Sequence, residues 1–86
     1  MIKLKITKAS GDVLEYEITP VIEFSFESHF KSGFHKHFRD EEKQTSVYWL
    51  AWEAERRNGN HPVPFGDSYL ETLAKVEILD ADSPNG

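Results

Sequence analysis

Residues 40–59, DEEKQTSVYWLAWEAERRNG, place apolar side chains around most of the circumference of one helix. That limits what the rest of the chain can be. Val47, Leu50, Ala51 and Ala54 recur at the three-and-four spacing of a buried stripe. At about 100° per residue, Tyr48, Trp49 and Trp52 carry that stripe well around the axis and leave a polar strip near Glu53 and Arg57. Both ends are marked. Asp40 reads as the N-cap, and Glu41 and Glu42 put negative charge where the helix dipole is positive. Arg56 and Arg57 do the converse at the other end, and Gly59 supplies a left-handed stop.

Such a helix is either sandwiched inside its own domain or covered in part by another chain. With 86 residues there is little material to cover three sides of it. Two readings of Tyr48, Trp49 and Trp52 therefore stand side by side. They are ordinary core, or they form a protein-binding surface, where tryptophan and tyrosine supply much of the binding energy.

The length supports one domain with a single modest core. The net charge is -5, and no run of lysine or arginine exists to track a phosphate backbone, so no nucleic-acid partner is expected. The absence of cysteine removes disulfides, thiolate nucleophiles and thiolate metal sites together. The opening MIKLKITKAS alternates charge with hydrophobe, unlike the apolar run of a signal peptide. No stretch approaches the roughly 20 apolar residues of a membrane span. A soluble cytoplasmic protein with no membrane partner is expected.

Taken in order, Ile2, Leu4 and Ile6 alternate with Lys3 and Lys5, and after Ser10, Gly11 and Asp12 come Leu14, Tyr16 and Ile18 alternating with Glu15 and Glu17. A hairpin turning at Ser10 sets Ile6 opposite Leu14, Leu4 opposite Tyr16 and Ile2 opposite Ile18. The same register sets Lys5 opposite Glu15 and Lys3 opposite Glu17, and a slip by one residue would bury all four charges. Beyond Thr19-Pro20, the alternation of Ile22, Phe24 and Phe26 favours a third strand. A helix capped by Thr19 with Pro20 at its first position is the rival. Phe26, Phe30, Phe34 and Phe38 then recur every fourth residue across Gly33, a helical interval with a break. Their spacing reads as core, with Phe34 and Phe38 the pair more exposed, beside the glycine and several histidines. The prolines of residues 60–64 exclude a helix there. Phe65 introduces a short helix over residues 68–73 that turns Tyr69, Leu70 and Leu73 inward, and Val76 and Ile78 mark a final strand. The fold class expected is α+β: a small antiparallel sheet, the N-terminal hairpin plus one or two further strands, packed on a long central helix and one or two short helices. Residues 1–79 form the domain, and residues 80–86 form a flexible acidic tail.

Little in the chain points to catalysis. His35 and His37 would diverge by about 200° on a helix, and neither has a third ligand at i+4, so surface histidines are favoured over a metal site. A Ser46, His61 and Asp67 triad can be written, but triads of this kind can be written from most chains. No phosphate loop, dinucleotide fingerprint or nucleophile elbow is present. Neither an enzymatic role nor a cofactor is expected. A DNA mimic would need regularly spaced carboxylates, and here acids and bases are interleaved.

Trp49-Leu50-Ala51-Trp52-Glu53 with Arg56-Arg57, then a proline-containing loop, Phe65, a short helix and Val76-Glu77-Ile78, occur here in an order that resembles the small tail assembly chaperones of long-tailed bacteriophages. The resemblance covers about residues 44–84 and is general over the N-terminal part. It implies a non-enzymatic protein of the infected host's cytoplasm, absent from the finished virion. Such a protein holds the tape-measure protein while tail-tube subunits polymerise around it. The family's genes typically also yield a longer form by programmed frameshifting, through which tail-tube subunits would be contacted. Residues 80–86 would then sit at the junction. The surface that binds the partner is expected to include Phe34, Phe38, Tyr48, Trp49, Trp52 and Phe65, with self-association also possible. The alternative is a small structural virion protein, such as a head–tail connector or minor tail component.

Overall fold

A computed structural model describes residues 2–40 and 44–80, the side chains of Arg39, Asp40 and Asp80 excepted. The chain is α+β. Strand β1 (Ile2–Lys8) lies between β2 (Val13–Glu17) and β3 (Leu73–Asp80), antiparallel to both. Helices α1 (Pro20–Phe30), α2 (Phe34–Asp40), α3 (Gln44–Arg57) and the single turn α4 (Asp67–Leu70) separate the hairpin from the last strand.

The hairpin has the register that its two faces specify. Lys3 faces Glu17, Leu4 faces Tyr16, Lys5 faces Glu15 and Ile6 faces Leu14. Beyond the ladder, the Ile18 amide donates to the Ile2 carbonyl at 2.9 Å. Gly11 turns the chain with φ of 100°, a left-handed conformation that suits glycine. On the other edge, Ile6 faces Val76 and Lys5 faces Glu77, so Lys5 lies between two carboxylate-bearing positions. Lys5→Glu is therefore expected to cost up to about 1 kcal/mol, more than Lys3→Glu, because like charges opposite one another destabilise a sheet. Urea midpoints for the two variants test this, and equal midpoints would contradict it.

Residues 20–30 correct the expectation of a third strand: they form a helix. Thr19 Oγ1 accepts the Ile22 amide at 3.4 Å, and Pro20 occupies the first position, where its missing amide hydrogen costs nothing. Helical geometry keeps Ile22 and Phe26 together in the core and turns Phe24 outward, where it is 72% exposed. The expected exposure of Phe34 and Phe38 is also corrected. Phe34 is buried and Phe38 half-buried, both against Phe26 at ring centroid distances of 5.2 and 5.0 Å. Glu27 lets α2 start there: its Oε2 accepts the Phe34 amide at 2.8 Å.

The central helix, α3, is described over Gln44–Arg57, which contains the whole apolar stripe from Val47 to Ala54. Asp40 ends α2. The capping assigned to its side chain, and the charges of Glu41 and Glu42, lie outside the described residues. At the C-terminus the Asn60 amide donates to the Glu55 carbonyl at 2.9 Å and the Gly59 amide to the Arg56 carbonyl at 3.2 Å, with Gly59 at φ of 81°. This is the paired closure of a Schellman end. Leu50, Ala51 and Ala54 are fully buried in one cluster with Leu4, Ile6 and Val76 of the sheet and Ile22 and Phe26 of α1. The short helix ends at Leu70, so Leu73 opens β3 instead of closing α4. Strand β3 runs on to Asp80, and the tail expected from that residue lies, from 81 onward, outside the described residues. No helix among the described residues is long and apolar enough to cross a membrane.

Candidate functional site: an aromatic groove between two helices

Between helices α1 and α3 lies an open groove of about 480 Å³, lined by Phe24, Ser25, Ser28 and His29 of α1 and by Trp49, Trp52, Glu53 and Arg56 of α3. Trp49 forms part of its floor. The indole is buried between Phe26 and Phe30 on one side and the His29 imidazole on the other, stacked at 4.5 Å with 13° between planes. Trp52 is half-buried and fixed. Its Nε1–H donates to the Val63 carbonyl at 2.8 Å, and Phe65 packs on it with centroids 6.2 Å apart. Phe24 stands at the rim as the most exposed large apolar side chain among the described residues. The Arg56 guanidinium lies 5.7 Å from the Trp52 ring centroid.

Glu53 was expected on a polar strip of the helix, and it is buried at 1% exposure. Pairing is the reason. Arg56 donates through Nε to Oε1 at 2.9 Å and through Nη2 to Oε2 at 3.0 Å, and Arg57 donates through Nε to Oε2 at 2.8 Å. Arg57 Nη2 also donates to Ser25 Oγ at 2.9 Å, tying α3 to α1 beside the groove. Burial alone would push the Glu53 carboxyl up, but hydrogen bonds from Arg56, Arg57 and Ser25, with the charge of Arg56, outweigh it and hold the group below its usual range. A carboxylate with a depressed folded value stabilises above its unfolded value and loses that contribution as pH falls through the folded one. Stability should therefore fall as pH drops below about 4.5, the ordinary value of the group. Glu53→Gln should flatten that acid limb while lowering stability at neutral pH. Parallel acid limbs in chemical denaturation would refute the assignment.

The expected partner-binding residues separate into three groups. Trp49 and Trp52 line the groove. Phe34 and Phe38 belong to the ring cluster around Phe26, away from the groove lining. Phe65 packs between Trp52 and Tyr69, behind the groove wall, and Tyr48 is half-buried against the core. Phe24, His29, Ser25, Ser28, Glu53 and Arg56 were not anticipated. The Thr19-Pro20 cap was the signal for Phe24, since a helix starting there puts Phe24 on the face opposite Ile22.

Two other polar clusters are buried. His37 Nε2 lies 2.7 Å from Ser46 Oγ, so Ser46 is engaged with a histidine other than the His61 of the written triad. Glu55 Oε2 receives Lys8 Nζ and the Tyr69 hydroxyl, each at 2.6 Å, and Oε1 receives Asn60 Nδ2 at 2.7 Å. Burial, reinforced by the Glu55 carboxylate, pushes the Tyr69 phenol well above its ordinary value, so it remains a donor. Among the described residues no group of three His, Cys, Asp or Glu side chains stands close enough to hold a metal ion. No protein-family model, curated protein or solved structure matches this chain.

Proposed function

We propose that this protein is a non-enzymatic tail assembly chaperone of a long-tailed bacteriophage, holding the tape-measure protein in the cytoplasm of the infected host until tail-tube subunits enclose it. The observation that carries the reading is the groove: two indoles fixed in place beside an exposed phenylalanine, around a cleft of about 480 Å³ that is open to solvent. A helix laid in such a groove buries apolar anchors spaced three or four residues apart. Long helical proteins present anchors of this kind before they are packed. The net charge of -5 keeps copies of the chaperone apart while they coat such a partner. The tail-tube contact belongs, in this proposal, to a longer frameshifted form.

Co-expression tests the proposal. The tape-measure protein should stay soluble and co-purify with this chain, and Phe24→Asp should abolish both effects. This protein should be missing from purified particles. Its presence there in stoichiometric amount would overturn the chaperone role and favour a structural virion component.

A further inference from the structure

We propose that the groove selects a helical segment in which an acidic residue stands one turn from a bulky apolar anchor, the partner's carboxylate docking on the pair Arg56 and Arg57. The inference rests on the groove being the partner surface. Both guanidiniums are tied to one carboxylate, that of Glu53, and among the described residues no other acidic group lies within ion-pair distance of either. Among the described residues, two guanidiniums at the edge of the groove thus share the single carboxylate of Glu53.

The pair is also held in place. Arg56 spends two N–H donors on Glu53, and Arg57 spends one on Glu53 and one on Ser25. A guanidinium has five such donors, so three remain on each. Their side chains are 48% and 41% exposed, so the remaining donors can be reached from solvent. A carboxylate meeting an arginine already fixed by a buried partner forms charge-assisted bonds without first ordering that side chain. The guanidinium of Arg56 sits over Trp52, which places the charged contact next to the apolar floor. An anchor against Trp49, Trp52 and Phe24 and a carboxylate against the arginines would then come from adjacent turns of one helix.

Three helix-forming peptides test this, each with leucines at i and i+4 and with glutamate, glutamine or lysine one turn further. Titrated into the full chain and followed by tryptophan fluorescence, the glutamate peptide should bind about tenfold more tightly than the lysine peptide, since attraction gives way to repulsion at a partly exposed site. The gap should narrow in high salt. Phe24→Asp should weaken all three, and because Phe24 is 72% exposed the variant retains the fold. Arginine variants are less suitable, since they would strand the buried Glu53. Equal binding of the three peptides, lost in Phe24→Asp, would leave the groove as a partner surface but overturn the acidic preference. No binding of any peptide, or binding unaffected by Phe24→Asp, would overturn both. Self-association that the glutamate peptide fails to displace would assign the groove to a second copy and overturn the proposal as well.

Discussion

Phe26→Ala is expected to destabilise the protein by about 3–5 kcal/mol, near the upper end for a deleted core aromatic. Phe26 is fully buried, and its ring meets those of Phe30, Phe34, His37, Phe38 and Trp49 at centroid distances of 4.4 to 6.0 Å. Five rings from three helices converge on one side chain, so the site cannot collapse around a methyl group without moving a helix. Phe24→Ala, two residues away, should change stability by only about half a kcal/mol, as exposed substitutions do. Urea denaturation of both variants checks the pair. Similar losses would mean that Phe24 and Phe26 share a buried face, as they would in a strand.

Glu55→Ala should be of comparable size, about 3–5 kcal/mol, because it removes the acceptor from three donors at once. Lys8 comes from the end of β1, Asn60 from the loop after α3, and Tyr69 from α4. The carboxylate therefore joins the sheet, the central helix and the returning chain. Lys8 is 16% exposed on its side chain and can turn towards water, so Lys8→Met should be milder. The three contacts act as a unit. Tyr69→Phe should therefore cost less in the Glu55→Ala background than in the native protein. Additive losses would show that Tyr69 is stabilised by packing alone.

The parts of the fold legible in the sequence are those where two signals agree. In the hairpin, apolar alternation and opposite charges specify one register, and the ladder follows it residue for residue. Residues 22–26 show the reverse case. Ile22, Phe24 and Phe26 alternate as a strand would, while the signal that decides, a threonine cap with proline behind it, is only two residues long. Reading a strand there hid Phe24 from the surface and with it one wall of the groove. Glu53 was misplaced for a different reason. Helical period assigns a face to each residue, but it does not show that two half-exposed arginines one turn away will cover a carboxylate and let it be buried. The central helix was legible because its apolar arc exceeds what one stripe needs; Trp49 is buried in the core and Trp52 is half-buried beside the groove.

The claim on which the functional account rests is that the α1/α3 groove receives the partner. An NMR titration of the isotopically labelled chain with a helical fragment of the tape-measure protein tests it most directly. Shifts are expected at Phe24, Ser28 and His29 and at the indole N–H groups of Trp49 and Trp52, with Lys5, Glu15 and Glu77 on the solvent face of the sheet unmoved. Shifts concentrated on that sheet face, with both indole signals in place, would contradict it.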